Sequence, residues 1–164
     1  AIKGASKDAL RELRGILDVL RSADDTDLTS PAPGLAQVEV LIDAANRAGL
    51  HATVVTTGAP RGVPAVVDLA AYRIVQESLT NAVRYAGPAS VQVTVCYRPD
   101  ELVVEVSDDG PGPVDAATIE GGGGHGIRGM RERTTAVGGT LSVGGRAEGG
   151  FAVRACVPLA STLR

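Results

Sequence analysis

The stretch AAYRIVQESLTNAVRYAG, residues 70–87, decides the fold because it forms most of the longest amphipathic segment in the chain. Its apolar residues recur every three or four positions, which predicts a helix over about 65–86. Gly87 and Pro88 end that helix. The apolar stripe consists of Tyr72, Val75, Leu79, Ala82, Val83 and Ala86.

Alternating, β-branched runs on either side of this helix predict five strands. They lie at 51–58, 91–97, 102–108, 140–143 and 151–158, and further helices are predicted at 3–22, 35–48 and 127–137. Strands and helices neither alternate strictly nor segregate fully. We therefore predict an α/β (α+β) two-layer sandwich, with a mixed, mostly antiparallel sheet of about five strands covered on one face by about three helices.

The chain of 164 residues fits one principal domain, which we place at 35–160. Residues 1–22 form a separate leading helix, 23–34 form a polar linker with two prolines, and 161–164 form a tail. The leading helix is too short to be stable alone, so it must pack on its own domain or on a partner helix.

Composition excludes several classes of protein. The net charge of −3 argues against a nucleic-acid-binding surface. No segment has the ~20 apolar residues of a transmembrane helix, and none resembles a signal peptide, so we expect no membrane contact by these residues. Cys96 and Cys156 lie in apolar runs, which favours buried free thiols in a reducing cytoplasm, with a disulfide as the alternative.

A polar face of the long helix is the first candidate site. Glu77, Asn81 and Arg84 fall within about 60° of one another at about 100° per residue. The face is either the solvated back of the helix or the wall of a cleft. In a cleft, the carboxylate and the amide oxygen suit Mg²⁺, with phosphates supplying the remaining ligands.

Two glycine-rich segments are the other candidates. One follows a predicted strand and reads Asp108-Asp109-Gly110-Pro111-Gly112. A carboxylate at this place could accept a hydrogen bond from an exocyclic amine, and the glycines would allow a flat ligand to approach the backbone. The alternative is a plain Asp-Gly turn. GGGGHGIRG, 121–129, runs into a helix whose first amides favour anions, the alternative being a flexible loop capped by a helix. It also fits the dinucleotide fingerprint, but it does not follow a strand in a βαβ unit, so we reject that interpretation.

The order of these motifs resembles the ATP-binding domain of bacterial sensor histidine kinases, within the GHKL ATPase superfamily. The similarity covers about residues 35–158, and YRIVQESLTNA with HGIRGMRER is typical of the NarX- and DesK-like subfamily. It implies a catalytic domain that binds ATP and Mg²⁺ and transfers the γ-phosphate to a histidine outside this chain. It also implies that residues 1–22 end a dimerisation helix.

The resemblance assigns a role to each motif. Glu77 and Asn81 would be catalytic and bind the metal, Arg84 would face the phosphates, and Asp108 would accept from the adenine amine. Residues 113–125 would form a lid over ATP. The remaining ATP-binding positions would be Gly110, Gly112, Gly124, His125, Gly126, Ile127, Arg128 and Gly129.

The implied partners are the dimerisation domain of a homodimeric parent kinase, itself cytoplasmic or membrane-anchored, and a cognate response regulator. Neither His51, which opens a strand, nor His125, in the lid, has the setting of a phosphoacceptor. Tyr85 replaces the family's usual histidine, and Phe151 replaces a hydroxyl residue that helps to hold the adenine-binding aspartate. The alternatives are a non-catalytic nucleotide-binding or docking module and another GHKL ATPase, such as an anti-sigma serine kinase.

Overall fold

The computed structural model describes residues 31–112 and 124–159. The predicted leading helix over 3–22, residues 23–30 of the linker, residues 113–123 of the lid and the 161–164 tail lie outside the described residues.

The described residues form a five-stranded sheet with three α-helices, as the sequence predicts. The helices are α1 (Val38–Arg47), preceded by a 3₁₀ turn (Leu35–Gln37), α2 (Ala65–Tyr85) and α3 (Gly124–Ala136). The strands are β1 (His51–Thr57), β2 (Ser90–Tyr97), β3 (Glu101–Asp108), β4 (Thr140–Gly145) and β5 (Phe151–Pro158).

The sheet is mixed and mostly antiparallel, in the order β1-β2-β3-β5-β4. Among the described strands, only the β1–β2 pair is parallel, and the β2–β3, β3–β5 and β4–β5 pairs are antiparallel. Alternate residues of the central strands are buried beneath the helices, including Val93, Val104 and Val157. The other face carries polar and half-buried side chains such as Thr94 and Glu105. The predicted two-layer architecture is confirmed.

The helix α2 is buried on more of its surface than its apolar stripe predicts. The stripe contacts the main core beneath α1, where Val75 and Leu79 are fully buried. Ile74, on another side of α2, belongs to a second core with Met130 of α3. Two apolar clusters thus hold α2 and fix where α3 lies.

The free thiols were predicted to be buried, and that part of the prediction is wrong. Cys96 and Cys156 are free but only half-buried. Both occupy positions on the polar face of the sheet, opposite Val103 in the strand register.

Among the described residues, no helix combines the length and the hydropathy that a membrane-spanning segment requires.

The turn between β4 and β5 packs tightly on the end of β3. Gly150 has φ +91°, and a Cβ at this position would overlap the main-chain oxygen of Asp108. The neighbouring Gly149 has φ +94°, but a Cβ there would meet nothing within 4 Å. These two glycines therefore share a backbone conformation and differ in their surroundings.

Truncating Leu79 tests the burial of α2 in the main core. Leu79→Ala should lower the free energy of unfolding by about 2–5 kcal/mol, because it removes a fully buried side chain and leaves a cavity. Val66→Ala, on the same helix at a position 67% exposed, is the matched control and should change stability by less than about 0.5 kcal/mol. Urea denaturation measures both. Equal losses in the two variants would contradict the packing described.

The paired glycines give a second test. Gly149→Ala should cost about 1–2 kcal/mol, the penalty for a left-handed backbone. Gly150→Ala should cost about 2–5 kcal/mol, because a clash with the β3 main chain is added. The difference between the two unfolding free energies is the observable. If Gly150→Ala is no worse than Gly149→Ala, the turn does not press on Asp108.

Candidate functional site

The three predicted site segments converge around α2. The Glu77 carboxylate lies so close to Gly126, in the first turn of α3, that a Cβ at Gly126 would overlap its Oε1 atom. At the C-terminal end of α2, a Cβ on Gly110 would lie 2.9 Å from the Ala86 Cβ. The helix therefore borders the glycine-rich start of α3 through Glu77 on its polar face, and it borders the loop after β3 through Ala86 at the end of its apolar stripe.

The polar face of α2 is not a fully solvated surface. Glu77 and Asn81 are half-buried, and Arg84 is exposed. Arg73 donates to Gln76 Oε1 at 2.9 Å. Of the two oxygen-bearing side chains, Glu77 thus lies beside α3, and Asn81 lies one turn further along α2 in a half-buried position.

The two consecutive aspartates at the end of β3 have different surroundings. Asp108 is 8% exposed, and its Oδ1 accepts from the Gly110 N–H at 2.9 Å. Asp109 is exposed and its Oδ1 accepts from the Ser90 N–H at 2.7 Å, which ties β3 to the start of β2. A carboxylate offers about four acceptor positions, and the Gly110 bond uses one at Asp108. Asp108 is therefore the aspartate suited to a ligand, and Asp109 is structural.

The helix α3 begins earlier than the sequence predicts. Gly124, His125 and Gly126 were expected in a loop, but they form the first turn of α3. The packing of Ile127 and Met130 into the second core explains how a glycine-rich start becomes helical despite its low propensity. The placement of His125 in the lid is corrected accordingly: it is an exposed residue of α3.

The start of α3 presents amides and one exposed cation. The first amides of a helix lack partners within it and favour anions. Arg128 is 80% exposed and pairs with Glu132 at 2.8 Å. That hydrogen bond raises the pKa of the Arg128 guanidinium. Gly129, one turn from His125, lies beside the end of the Arg133 side chain. A Cβ built on Gly129 would lie 3.3 Å from Arg133 Nη2.

The two departures from the expected motif have different surroundings. Tyr85 is 75% exposed at the end of α2. Phe151 packs against the second core, where Ile127 and Val143 also lie. Its ring therefore supports α3, which a small hydroxyl residue could not do.

Arg146 lies near Asp108 but belongs to no motif, so the sequence analysis did not select it. The Nη1 atom of Arg146 donates to the main-chain oxygen of Asp108 at 3.0 Å. Arg146 lies 38 positions from Asp108 in the chain, in a turn that the sequence marks only as glycine-rich.

Comparison with known proteins identifies the family. Residues 66–161, more than half of the chain, match the model for histidine kinase-, DNA gyrase B- and HSP90-like ATPases. The chain is 29% identical over 163 residues to the sensor histidine kinase YxjM of Bacillus subtilis, covering 98% of this chain and 37% of that protein. It is 32% identical over 111 residues to the oxygen sensor histidine kinase NreB of Staphylococcus carnosus, covering 68% of this chain and 32% of that protein.

A solved structure agrees with these relatives. The blue-light activated histidine kinase of Erythrobacter litoralis superimposes with a TM-score of 0.65 at 25% identity, over 95% of this chain and 56% of that one. The chain spans about a third of the length of the curated relatives it matches. It belongs to the histidine kinase-, DNA gyrase B- and HSP90-like ATPase family, and its relatives place it among the ATP-binding domains of sensor histidine kinases.

Proposed function

We propose that this domain binds Mg²⁺-ATP between α2, the loop after β3 and the start of α3, and transfers the γ-phosphate to a histidine on a dimerisation helix. The observation that supports this most directly is the convergence of the three segments, with Gly126 against Glu77 and Gly110 against Ala86. Membership of the ATPase family supplies the class of ligand.

The adenine end of the site is assigned to Asp108. Asp108 is a buried residue, and its carboxylate is already oriented by the hydrogen bond from the Gly110 N–H. A buried acceptor in this position suits the exocyclic amine of adenine, which would otherwise remain unpaired. Gly112 has φ +73°, a backbone conformation that strains other residues, and an added Cβ would lie in tight contact, 3.1 Å from the Gly150 oxygen.

The phosphate end is assigned to the first two turns of α3. The amides of the first turn of α3, which begins at Gly124, have no partners within the helix, and the partial positive charge there favours an anion. His125 and Arg128 are exposed in these turns. Arg84, exposed on the same polar face as Asn81, provides a further cation toward the phosphates.

The residues present fit a magnesium ion that is shared with the phosphates. Asn81 and Glu77 supply hard oxygen ligands one helical turn apart, which Mg²⁺ prefers. Within the described ranges, no group of three or more His, Cys, Asp or Glu side chains forms a metal site without the nucleotide. A metal held by one or two protein ligands and by phosphate oxygens agrees with that finding. When bound, the ion would neutralise charge on the transferred phosphoryl group.

The reaction is an in-line transfer. A nitrogen of the acceptor imidazole forms a bond to the γ-phosphorus while the bond from that phosphorus to the β,γ-bridging oxygen breaks, so that ADP leaves. Glu77 takes the proton from the other ring nitrogen or orders the water around the metal. The remainder of the domain works by positioning and by charge stabilisation.

The acceptor and the partners follow from the same proposal. Residues 1–22, outside the described part of the chain, are proposed to end the dimerisation helix of a homodimeric parent that acts on a response regulator. His51 is exposed at the first residue of β1, and His125 lies between two glycines on α3. Neither has an adjacent acidic residue, so the acceptor is proposed to lie elsewhere in a cytoplasmic part of the parent.

Substituting the metal-binding and adenine-binding residues should give different binding defects. Asp108→Asn keeps an oxygen for Gly110 but replaces an acceptor with an NH₂ group that opposes the adenine amine. It should weaken ATP binding roughly 10–100-fold, because an unpaired buried polar group costs about 1–3 kcal/mol. Asn81→Ala should retain ATP binding but make it insensitive to Mg²⁺. Isothermal titration with Mg²⁺ and with EDTA measures both effects.

The matched control for this experiment is Asp109→Asn, which keeps the acceptor for Ser90 at the neighbouring position. It should bind ATP as the unmodified domain does. Parent-like ATP binding in both Asp108→Asn and Asn81→Ala would show that the site is misplaced.

Phosphate transfer should require a supplied acceptor. With labelled Mg²⁺-ATP, the 164-residue chain should not label itself on histidine. Adding the parent's dimerisation hairpin as a separate polypeptide should produce weak labelling in trans. The labelling is weak because a covalent linker gives the acceptor an effective concentration on the order of millimolar, which a separate polypeptide does not reach. Glu77→Gln should lower the transfer rate by about 10²-fold or more while changing ATP binding little.

Glu39→Gln, an exposed acidic position in the first turn of α1, is the control and should transfer phosphate normally. Acid-labile phosphate on the chain by itself would be contrary to the proposal, since it would make His51 or His125 an acceptor. Phosphate on serine would instead favour the serine kinase alternative.

A further inference from the structure

The turn RAEGG, residues 146–150, is a closed unit placed against the end of β3. The Arg146 N–H donates to the Gly150 oxygen at 3.1 Å, and the Gly149 N–H donates to the Arg146 oxygen at 3.1 Å. The close approach of Gly150 to the Asp108 main chain fixes the distance between this turn and β3. The side chain of Arg146 is therefore held above one particular peptide group.

The guanidinium of Arg146 has two partners. Its Nη1 atom donates to the Asp108 oxygen at 3.0 Å. Its Nη2 atom lies 3.2 Å from Glu148 Oε2, with the Arg146 and Glu148 side chains 34% and 79% exposed. The planar guanidinium has its donors in a fixed fork, so the bond to Glu148 also sets the direction of the bond to Asp108. An exposed ion pair such as Arg146–Glu148 contributes little to stability. The hydrogen bond from Arg146 to the Asp108 oxygen is therefore the contact with a structural consequence.

The position of this contact in the sheet is specific. The β3–β5 ladder ends at the pair Ser107 and Ala152. One residue further on, Asp108 still pairs with Val91 of β2, and on its other side the Arg146 guanidinium bonds its oxygen. Arg146 thus continues the hydrogen bonding of β3 by one residue, at the residue whose carboxylate is assigned to adenine.

The Phe151 side chain makes this contact more important. A hydroxyl residue at that position is expected to help hold the aspartate, but Phe151 packs into the second core instead. The main chain of Asp108 is held by β2, by the Gly150 contact and by Arg146. Its side chain is oriented through Gly110. Since the carboxylate is short, a rotation of the Asp108 peptide redirects it.

From these contacts we propose that Arg146 is a positioning residue for adenine recognition. It fixes the Asp108 main chain so that the carboxylate meets the exocyclic amine, and it thereby sets the preference for adenine nucleotides over nucleotides that lack this amine. The inference rests on the proposed ATP site.

The test compares ATP with ITP, in which an oxygen replaces the exocyclic amine. Arg146→Met keeps much of the side-chain length but removes the donors. It should weaken ATP binding about tenfold, because the redirected Asp108 carboxylate no longer accepts from the adenine amine, and it should change ITP binding less than twofold, because ITP has no such amine. Isothermal titration of both nucleotides gives the ratio of their affinities. A purely structural role would weaken both nucleotides alike and leave that ratio unchanged.

Three further variants sharpen the result. The matched control is Arg154→Met on β5, which removes the 3.1 Å ion pair between Arg154 and Glu105 of β3. This variant should keep the parent's ratio of ATP to ITP affinity. Arg146→Lys retains a cationic donor and should restore part of the preference. Glu148→Gln leaves the arginine but loosens its orientation, so the ratio should fall less than in Arg146→Met. If Arg146→Met does not fold, Glu148→Gln and Arg146→Lys decide the question by the same ratio.

The outcomes separate the two proposals. Arg146 has no positioning role, and the adenine site stands, if Arg146→Met keeps the parent's ratio of ATP to ITP affinity while Asp108→Asn loses it. If Arg146→Met does not fold, the same conclusion follows when Glu148→Gln and Arg146→Lys keep that ratio. If Asp108→Asn also keeps the ratio, the adenine site itself is misplaced. A fall in the ratio for both Asp108→Asn and Arg146→Met, with Arg154→Met unchanged, supports the inference.

Discussion

The burial of α2 on two sides is the constraint on which the other features depend. One side of the helix packs on the main core with Val75 and Leu79, and Ile74 packs on a second core with Met130 of α3. Because the helix is fixed on both sides, its remaining polar residues cannot rotate away. Glu77 therefore borders the start of α3, and Ala86 borders the loop after β3. The site is a consequence of how one helix is packed.

The sequence was sufficient for the elements and the architecture, because each has a strong local pattern. The period of α2 and the alternation along the strands predicted five strands and the covered face, as found. The second core was not predictable, since Ile74 lies outside the main stripe and its partners are distant in the chain. For the same reason the start of α3 was placed too late: local glycine content predicts a loop, and packing of Ile127 and Met130 overrides it.

The candidate site shows the same division between local and non-local information. Motif spacing selected Glu77, Asn81 and, through the D-x-G-x-G pattern, Asp108 in preference to Asp109, but it does not show how the surroundings of the two aspartates differ. The structure distinguishes them through Ser90, which binds Asp109, and through burial of Asp108. Arg146 could not be predicted, because a lone arginine in a turn has no pattern and its contact with Asp108 exists only after the sheet forms. The candidate residues for ligand recognition were selected from motifs, whereas the contact between Arg146 and Asp108 is tertiary and has no motif.

The central claim is that one nucleotide spans three segments gathered by α2, with its base and its phosphates at opposite ends. Backbone amide NMR shifts of the domain, measured with adenosine and then with a non-hydrolysable ATP analogue and Mg²⁺, test this most directly. Adenosine should shift the amides of Asp108, Gly110 and Gly112 and leave the start of α3 unchanged. The analogue with Mg²⁺ should add shifts at Asn81 and at Gly126 and Ile127. Identical shifts with both ligands, or shifts confined to β1 and α1, would contradict the account.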